Sequence, residues 1–160
     1  MALQYLLSEA QKSFDLLCKL HPELERRAHG DLKSGVKYMD LSDLGTCCAA
    51  LHERTITLVS KMFDTNHGRN KENISFRTEP WFVKNSAAKK IVDEVYSSAI
   101  IQKIRNSRNT WNAHMGRKQT EILSRTDLCD SDIRTQLDRL DNLLSVYTIW
   151  FVDTRGWENL

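Results

Sequence analysis

The sequence predicts an all-α fold, a bundle of four to five helices in a single domain spanning residues 1–160. Three observations carry this expectation. Apolar residues recur at three- and four-residue steps over long windows, as one face of a helix requires. Only two prolines and six glycines interrupt 160 residues, which favours long helices over a many-turned β-sandwich. A hydrophobic content of 41% with 28% charged residues is that of a chain able to bury one core.

The first helical segment is expected from about residue 2 to 29. Leu3, Leu6, Leu7, Phe14, Leu17 and Leu20 follow helical spacing. Pro22 is expected to break or restart the helix, because proline disfavours the α conformation in the residue before it. His29-Gly30-Asp31 reads as a stop. A second helix is expected over about 42–64, with Ser42 or Asp43 as N-cap and a stripe of Leu44, Cys48, Leu51, Thr55, Leu58 and Met62. The polar run 65–73 reads as a loop. Ile74, Phe76, Trp81 and Phe82 then suggest a segment packing back on the domain, with Pro80 opening a short helical turn.

A third helical region is expected from about 86 to 113, either one bent helix or two meeting near Ser97-Ser98, with Gly116 as a stop. After a polar link, the last helix is expected over about 130–152, with Ile133, Leu137, Leu140, Leu144, Tyr147 and Phe151 on its apolar side.

No run of about eighteen apolar residues suggests a membrane span. The N-terminus lacks a basic region ahead of its leucines and meets Glu9 early, unlike a signal peptide. Cys18, Cys47, Cys48 and Cys129 form no Cys-x-x-Cys pair, so the expectation is reduced thiols, no zinc, no cofactor and a cytoplasmic location. The net charge of +2 is unevenly placed. Between Lys84 and Lys118 eight basic residues face only Asp93 and Glu94, giving +6 there and −4 elsewhere. Such a segment fits either an anionic partner or a solvated helix face.

Within that segment lies Arg108-Asn109-Thr110-Trp111-Asn112-Ala113-His114. Metal-independent RNA cleavage needs a group to take the 2′-hydroxyl proton, a group to protonate the leaving oxygen, and a cation for the phosphorane. Histidine titrates in the useful range, and arginine offers a permanently charged fork for phosphate. On a straight helix, however, the directions of Arg108 and His114 differ by about 120°, and their axial separation is about 9 Å. They converge only if the helix unwinds before His114 or a two-fold dimer brings a second copy opposite. Arg105, Arg108 and Asn112 share one face; Ile100, Ile104 and Trp111 fall on another.

These residues resemble the motif of the HEPN superfamily, small helical bundles carrying Arg-x(4–6)-His, commonly with Asn after the Arg. Leu58 to Asp64 followed by Asn73-Ile74-Ser75-Phe76 is similar to the AbiU-type abortive-infection branch. The resemblance covers about residues 40–152. It implies a metal-independent endoribonuclease that completes its cleft as a homodimer, with Arg108 on the phosphate, His114 in proton transfer and Asn109 positioning the site. It further implies a role in phage defence or as a toxin with an antitoxin or defence-system partner. Arg105, which shares the Arg108 face, suits either an RNA phosphate or a surface ion pair, and Asn112, Arg117 and Lys118 are further candidates for RNA contacts. Gly116 stands where some toxin members place a tyrosine. Other members of the family are inactive, so the competing reading is a non-catalytic scaffold that binds nucleic acid or a partner protein.

Other residues have competing readings. Asp64 reads as a loop-fixing residue, and His67 as solvated. The His52-Glu53 pair reads as a surface or partly buried pair that also has the chemistry to line a site. Trp81, Trp111 and Trp150 suit either base stacking or core packing. A metal-dependent hydrolase would need a carboxylate–histidine cluster, and none has convincing spacing.

Overall fold

A computed structural model describes residues 2–30, 39–65, 74–113 and 123–155, with side chains described except at 109–113 and 152–155. The described residues form an all-α bundle of five longer helices and two short ones: α1 (Ala2–Ala28), α2 (Leu41–Lys61), α3 (Pro80–Lys84), α4 (Ser86–Ser97), α5 (Ala99–Ala113), α6 (Arg125–Cys129) and α7 (Ile133–Arg155).

Helix α1 buries Leu3, Leu7, Ala10, Phe14, Leu17 and His21, an alternation of four- and three-residue steps that keeps one stripe facing inward. Its most extensive packing is against α2, whose stripe of Leu44, Cys48, Thr55, Val59 and Met62 is equally buried. Pro22 does not break α1; it sits inside the helix. Proline removes one backbone hydrogen bond, but its neighbours are held by tertiary contacts. Buried Glu23 accepts from Arg26 and Arg27, and Arg27 also donates to the Met39 carbonyl at the approach to α2. Helix α1 ends where expected, with Gly30 at φ +88°, a left-handed conformation that glycine adopts without a Cβ clash.

The cap of α2 is Asp40, whose carboxylate accepts from the Asp43 amide at 2.7 Å; the expected caps, Ser42 and Asp43, lie in the first turn. Beyond α2, the Phe76 amide donates to the Met62 carbonyl, which turns the chain back onto the core. Phe76 packs between Phe63 and Phe82, with ring centroids at 6.0 and 5.0 Å. Ile74, expected to pack there, is exposed. Pro80 opens α3 as expected, since its missing N–H is one the first turn leaves unpaired anyway.

The third helical region divides at Ser98, whose extended backbone (ψ 143°) ends α4. Its hydroxyl and amide both bond the Val95 carbonyl, and its own carbonyl starts α5 by accepting from Gln102. The last expected helix begins at Ile133, three residues later than anticipated. It is preceded by α6, which the sequence suggested only as a polar link; Ser124 caps α6 by accepting from the Asp127 amide. On α7, Ile133, Leu137, Leu140 and Leu144 are buried as expected, whereas Phe151 is exposed together with Val146, Ile149 and Trp150. No described helix is long and apolar enough to cross a membrane.

Candidate functional site

Arg108 lies in the C-terminal half of α5, one turn beyond the buried stripe of Ile100, Ile101 and Ile104. Helix α5 packs on α2, and from there the Arg108 side chain reaches the C-terminal end of α2. There Nη1 donates to Asp64 Oδ2 at 2.5 Å. The two side chains are 23% and 25% exposed, so the pair is partly desolvated and still reachable from solvent. Asp64, which follows the C-terminal end of α2, thus pairs with Arg108.

Arg105 takes a different partner. It donates to the Tyr96 hydroxyl, with its guanidinium 4.6 Å from the ring centroid. Arg77 lies over the same ring at 4.3 Å. Arg105 and Arg108 are close along the helix as the spacing required, but the structure divides them between an aromatic ring of α4 and a carboxylate at the end of α2.

Arg108 stands between two hollows. A smaller one, about 300 Å³, is lined by Leu6, Lys61, Asp64, Ile74 and Arg108. A larger one, about 640 Å³, lies between α2, α5 and the start of α6. Its lining includes Ala49, Ala50, His52, Glu53 and Ile56 from α2, Ser107 and Arg108 from α5, and Leu123 to Arg125.

The backbone of Leu123 closes one side of this hollow. Its amide donates to Ser107 Oγ at 2.9 Å, and its carbonyl accepts from His52 Nε2 at 2.8 Å. One residue thus ties α5 and α2 together, and the bond assigns the His52 proton to Nε2. Burial pushes the His52 imidazole below its usual range, outweighing the upward pull of the Leu123 carbonyl, and the nearby cation Arg125 pushes the same way. His52 is partly buried and Glu53 exposed, as expected of the pair, and both line this concavity.

Arg125 is a residue that sequence reasoning missed. It reaches the Cys48 thiol. Its Nη1 is nevertheless buried without a hydrogen-bond partner among the described residues. A buried donor left unmade costs about 1–3 kcal/mol, and guanidinium cannot escape the cost by losing its proton. In the sequence Arg125 is an ordinary basic residue in a polar link, and no periodicity marks it.

His114, Arg117 and Lys118 lie outside the described residues, as does His67; Asn109 and Asn112 are on the α5 backbone with side chains outside the description. Trp81 packs on Phe82, Tyr147 and Trp150, with centroids at 5.0, 5.2 and 6.0 Å, which places it in an aromatic cluster rather than beside Arg108. Cys18, Cys48 and Cys129 have thiols raised by burial, Cys129 to about 12, with the Cys18 and Cys129 thiols hydrogen-bonded to each other. All four cysteines are unpaired by disulfides, and Cys47 is half-buried rather than buried. Among the described residues no cluster of three or more His, Cys, Asp or Glu side chains is placed to hold a metal. Neither a protein-family model, nor a curated protein, nor a solved structure shows a significant match to the chain.

Proposed function

We propose that the chain is a cytoplasmic, metal-independent endoribonuclease of the HEPN type, acting as a homodimer in phage defence or as a toxin. The observation that carries this reading is the setting of Arg108. It is a permanent cation, held in one orientation by Asp64 and open to concave surface on both sides. A guanidinium fixed in this way meets a phosphorane without reorganising, which is where electrostatic catalysis gains most. One nitrogen is engaged by Asp64, and the planar fork has further N–H donors suited to phosphate oxygens.

In the proposed reaction the 2′-oxygen attacks phosphorus, the bond to the 5′-oxygen breaks, and protons leave the first oxygen and reach the second. Arg108 stabilises the charge on phosphorus, and His114 carries a proton. The helical offset between them assigns the completion of the cleft to a break in α5 after Ala113, to a second copy of the motif, or to both. Arg105 has a supporting part, because its place on Tyr96 keeps a second cation near the helix face of Arg108.

The test is cleavage of single-stranded RNA by the purified chain with a metal chelator present. Arg108→Ala and His114→Ala should each abolish cleavage while retaining the wild-type helical circular-dichroism spectrum. Unchanged activity in both would remove the site.

The alternative is a non-catalytic scaffold that binds nucleic acid or a protein. It is favoured by one specific feature: Arg108 and Arg105 each already have an internal partner, as structural arginines do. It predicts RNA or protein binding with no cleavage, and loss of stability rather than of chemistry on Arg108→Ala.

A further inference from the structure

A third hollow lies apart from Arg108, between α3 and α7. Its volume of about 420 Å³ falls in the range of small-molecule sites. Tyr147, Trp150 and Phe151 share one face of α7 by three- and four-residue spacing, and Trp81 of α3 meets that face. All four rings line the hollow, and Glu79, Lys84 and Asn85 supply its polar groups. Buried Phe82 seats the rings on the core, with its centroid 5.0 Å from that of Trp81 and 5.1 Å from that of Tyr147. Trp150 and Phe151 are nevertheless exposed, so solvent reaches the aromatic wall.

An aromatic ring attracts a cation placed within about 6 Å of its centroid. The centroids of Trp81, Tyr147 and Trp150 lie 5.2, 6.0 and 6.2 Å from one another, so one cation can meet that condition for all three rings at once. The Tyr147 hydroxyl donates to Glu79 Oε1 at 3.2 Å, which holds a carboxylate at the edge of the same cluster. Rings and carboxylate favour the same sign of charge, and the carboxylate opposes a phosphodiester. The polar groups then select among cations. A primary ammonium brings three donors and a guanidinium five. The hollow offers them few acceptors, since Glu79 already accepts from Tyr147 and Asn85 Oδ1 from the Ala88 amide. A quaternary ammonium has no N–H to satisfy, and its methyl groups gain from burial against the rings. Lys84, exposed in the last turn of α3, adds a positive charge to the lining. It repels a bare cation and attracts one that carries its own anionic group.

We propose that this hollow binds a betaine, a small molecule that joins a quaternary ammonium to a carboxylate. The ammonium lies against Trp81, Tyr147 and Trp150 beside Glu79, and the carboxylate pairs with Lys84. Arg108 takes no part in this lining, so the site does not depend on the nuclease reading.

The experiment is an NMR titration of the full chain with glycine betaine, followed at the indole N–H resonances. Those of Trp81 and Trp150 are assigned by their loss in Trp81→Phe and Trp150→Leu. Two analogues isolate the selecting features. Glycine has the same charges without the methyl groups, and 3,3-dimethylbutanoate has the same shape and carboxylate without the cation. Saturable shifts at Trp81 and Trp150 are expected with glycine betaine, and each analogue should bind about fivefold more weakly or worse. Glu79→Gln and Trp150→Leu should each weaken betaine by about fivefold or more. Trp150 is exposed, so its replacement tests the site even if Glu79→Gln perturbs the fold. No saturable shift at millimolar betaine, shifts confined to other indoles, or equal affinity for either analogue overturns the proposal. Unchanged betaine affinity in Trp150→Leu does the same.

Discussion

Asp64→Asn is expected to destabilise the protein by about 1–2 kcal/mol, from the placement of one ion pair. The Arg108 and Asp64 groups meet at 2.5 Å and are each about three-quarters buried. Two unit charges with centres about 4 Å apart attract by about 4 kcal/mol at an effective dielectric of 20. Desolvation and the fixing of two side chains remove much of that gain. Exposed pairs retain about 0–1 kcal/mol, while breaking a fully buried pair costs about 3–5 kcal/mol. A quarter-exposed pair falls between, and the asparagine keeps the shape while removing the charge. For a chain of this size the loss corresponds to a fall in Tm of about 2–8 °C. Urea unfolding of the parent, Asp64→Asn, Arg108→Gln and the double variant measures the coupling directly. A coupling near 1 kcal/mol is expected, because residues in one ion pair are not additive. A coupling below about 0.3 kcal/mol, with Asp64→Asn as stable as the parent, would refute the reasoning, since independent sites agree to about that margin.

Four further outcomes follow from other contacts. Ser107→Ala leaves the Leu123 amide without its acceptor and should cost about 1–3 kcal/mol in chemical denaturation; a neutral result would mean that the α5–α6 tie is not made. His52 is held below its usual range, so the folded state resists its protonation. Its contribution is present above about pH 6.5 and lost as pH falls from there toward the folded value, with a slope of at most about 1.4 kcal/mol per pH unit. His52→Gln should flatten that part of the stability–pH profile, and an unchanged slope would assign it to other groups. Phe76→Ala empties the space between Phe63 and Phe82 and should cost about 3–5 kcal/mol by urea melts. Cys18, Cys48 and Cys129 should alkylate far more slowly in the native protein than in urea at pH 8, because burial keeps their thiols protonated; equal rates in mass spectrometry would contradict the packing.

The longer helices and most of their buried faces were legible in the sequence, whereas α6 and the exposure of Phe151 were not. Helical periodicity is a local property, so Leu3, Leu7, Phe14 and Leu17 on α1 and Leu44 and Cys48 on α2 were legible without any knowledge of their partners. The stop at Gly30, the short turn after Pro80 and the division near Ser98 were legible for the same reason: each is set by the conformational limits of one or two residues. Pro22 was a local signal that misled: α1 runs through it, and beyond it Arg27 is held by Glu23 within the helix and by the Met39 carbonyl outside it.

Residue types at the candidate site were legible, and their partners were not. Arg108 stood out by its motif, but the carboxylate that holds it is 44 residues away. Arg105 and Arg108 share a helix face, yet Tyr96 and Asp64 separate their roles, because each lies on a different neighbouring element. The hollow beside Arg108 and the buried donor of Arg125 have no sequence signature at all. Leu123, bonded to both His52 and Ser107, holds the segment before α6 beside them. Spacing along the chain fixes direction on one helix. Only packing between helices decides which charges meet, which stay apart, and where space is left between them.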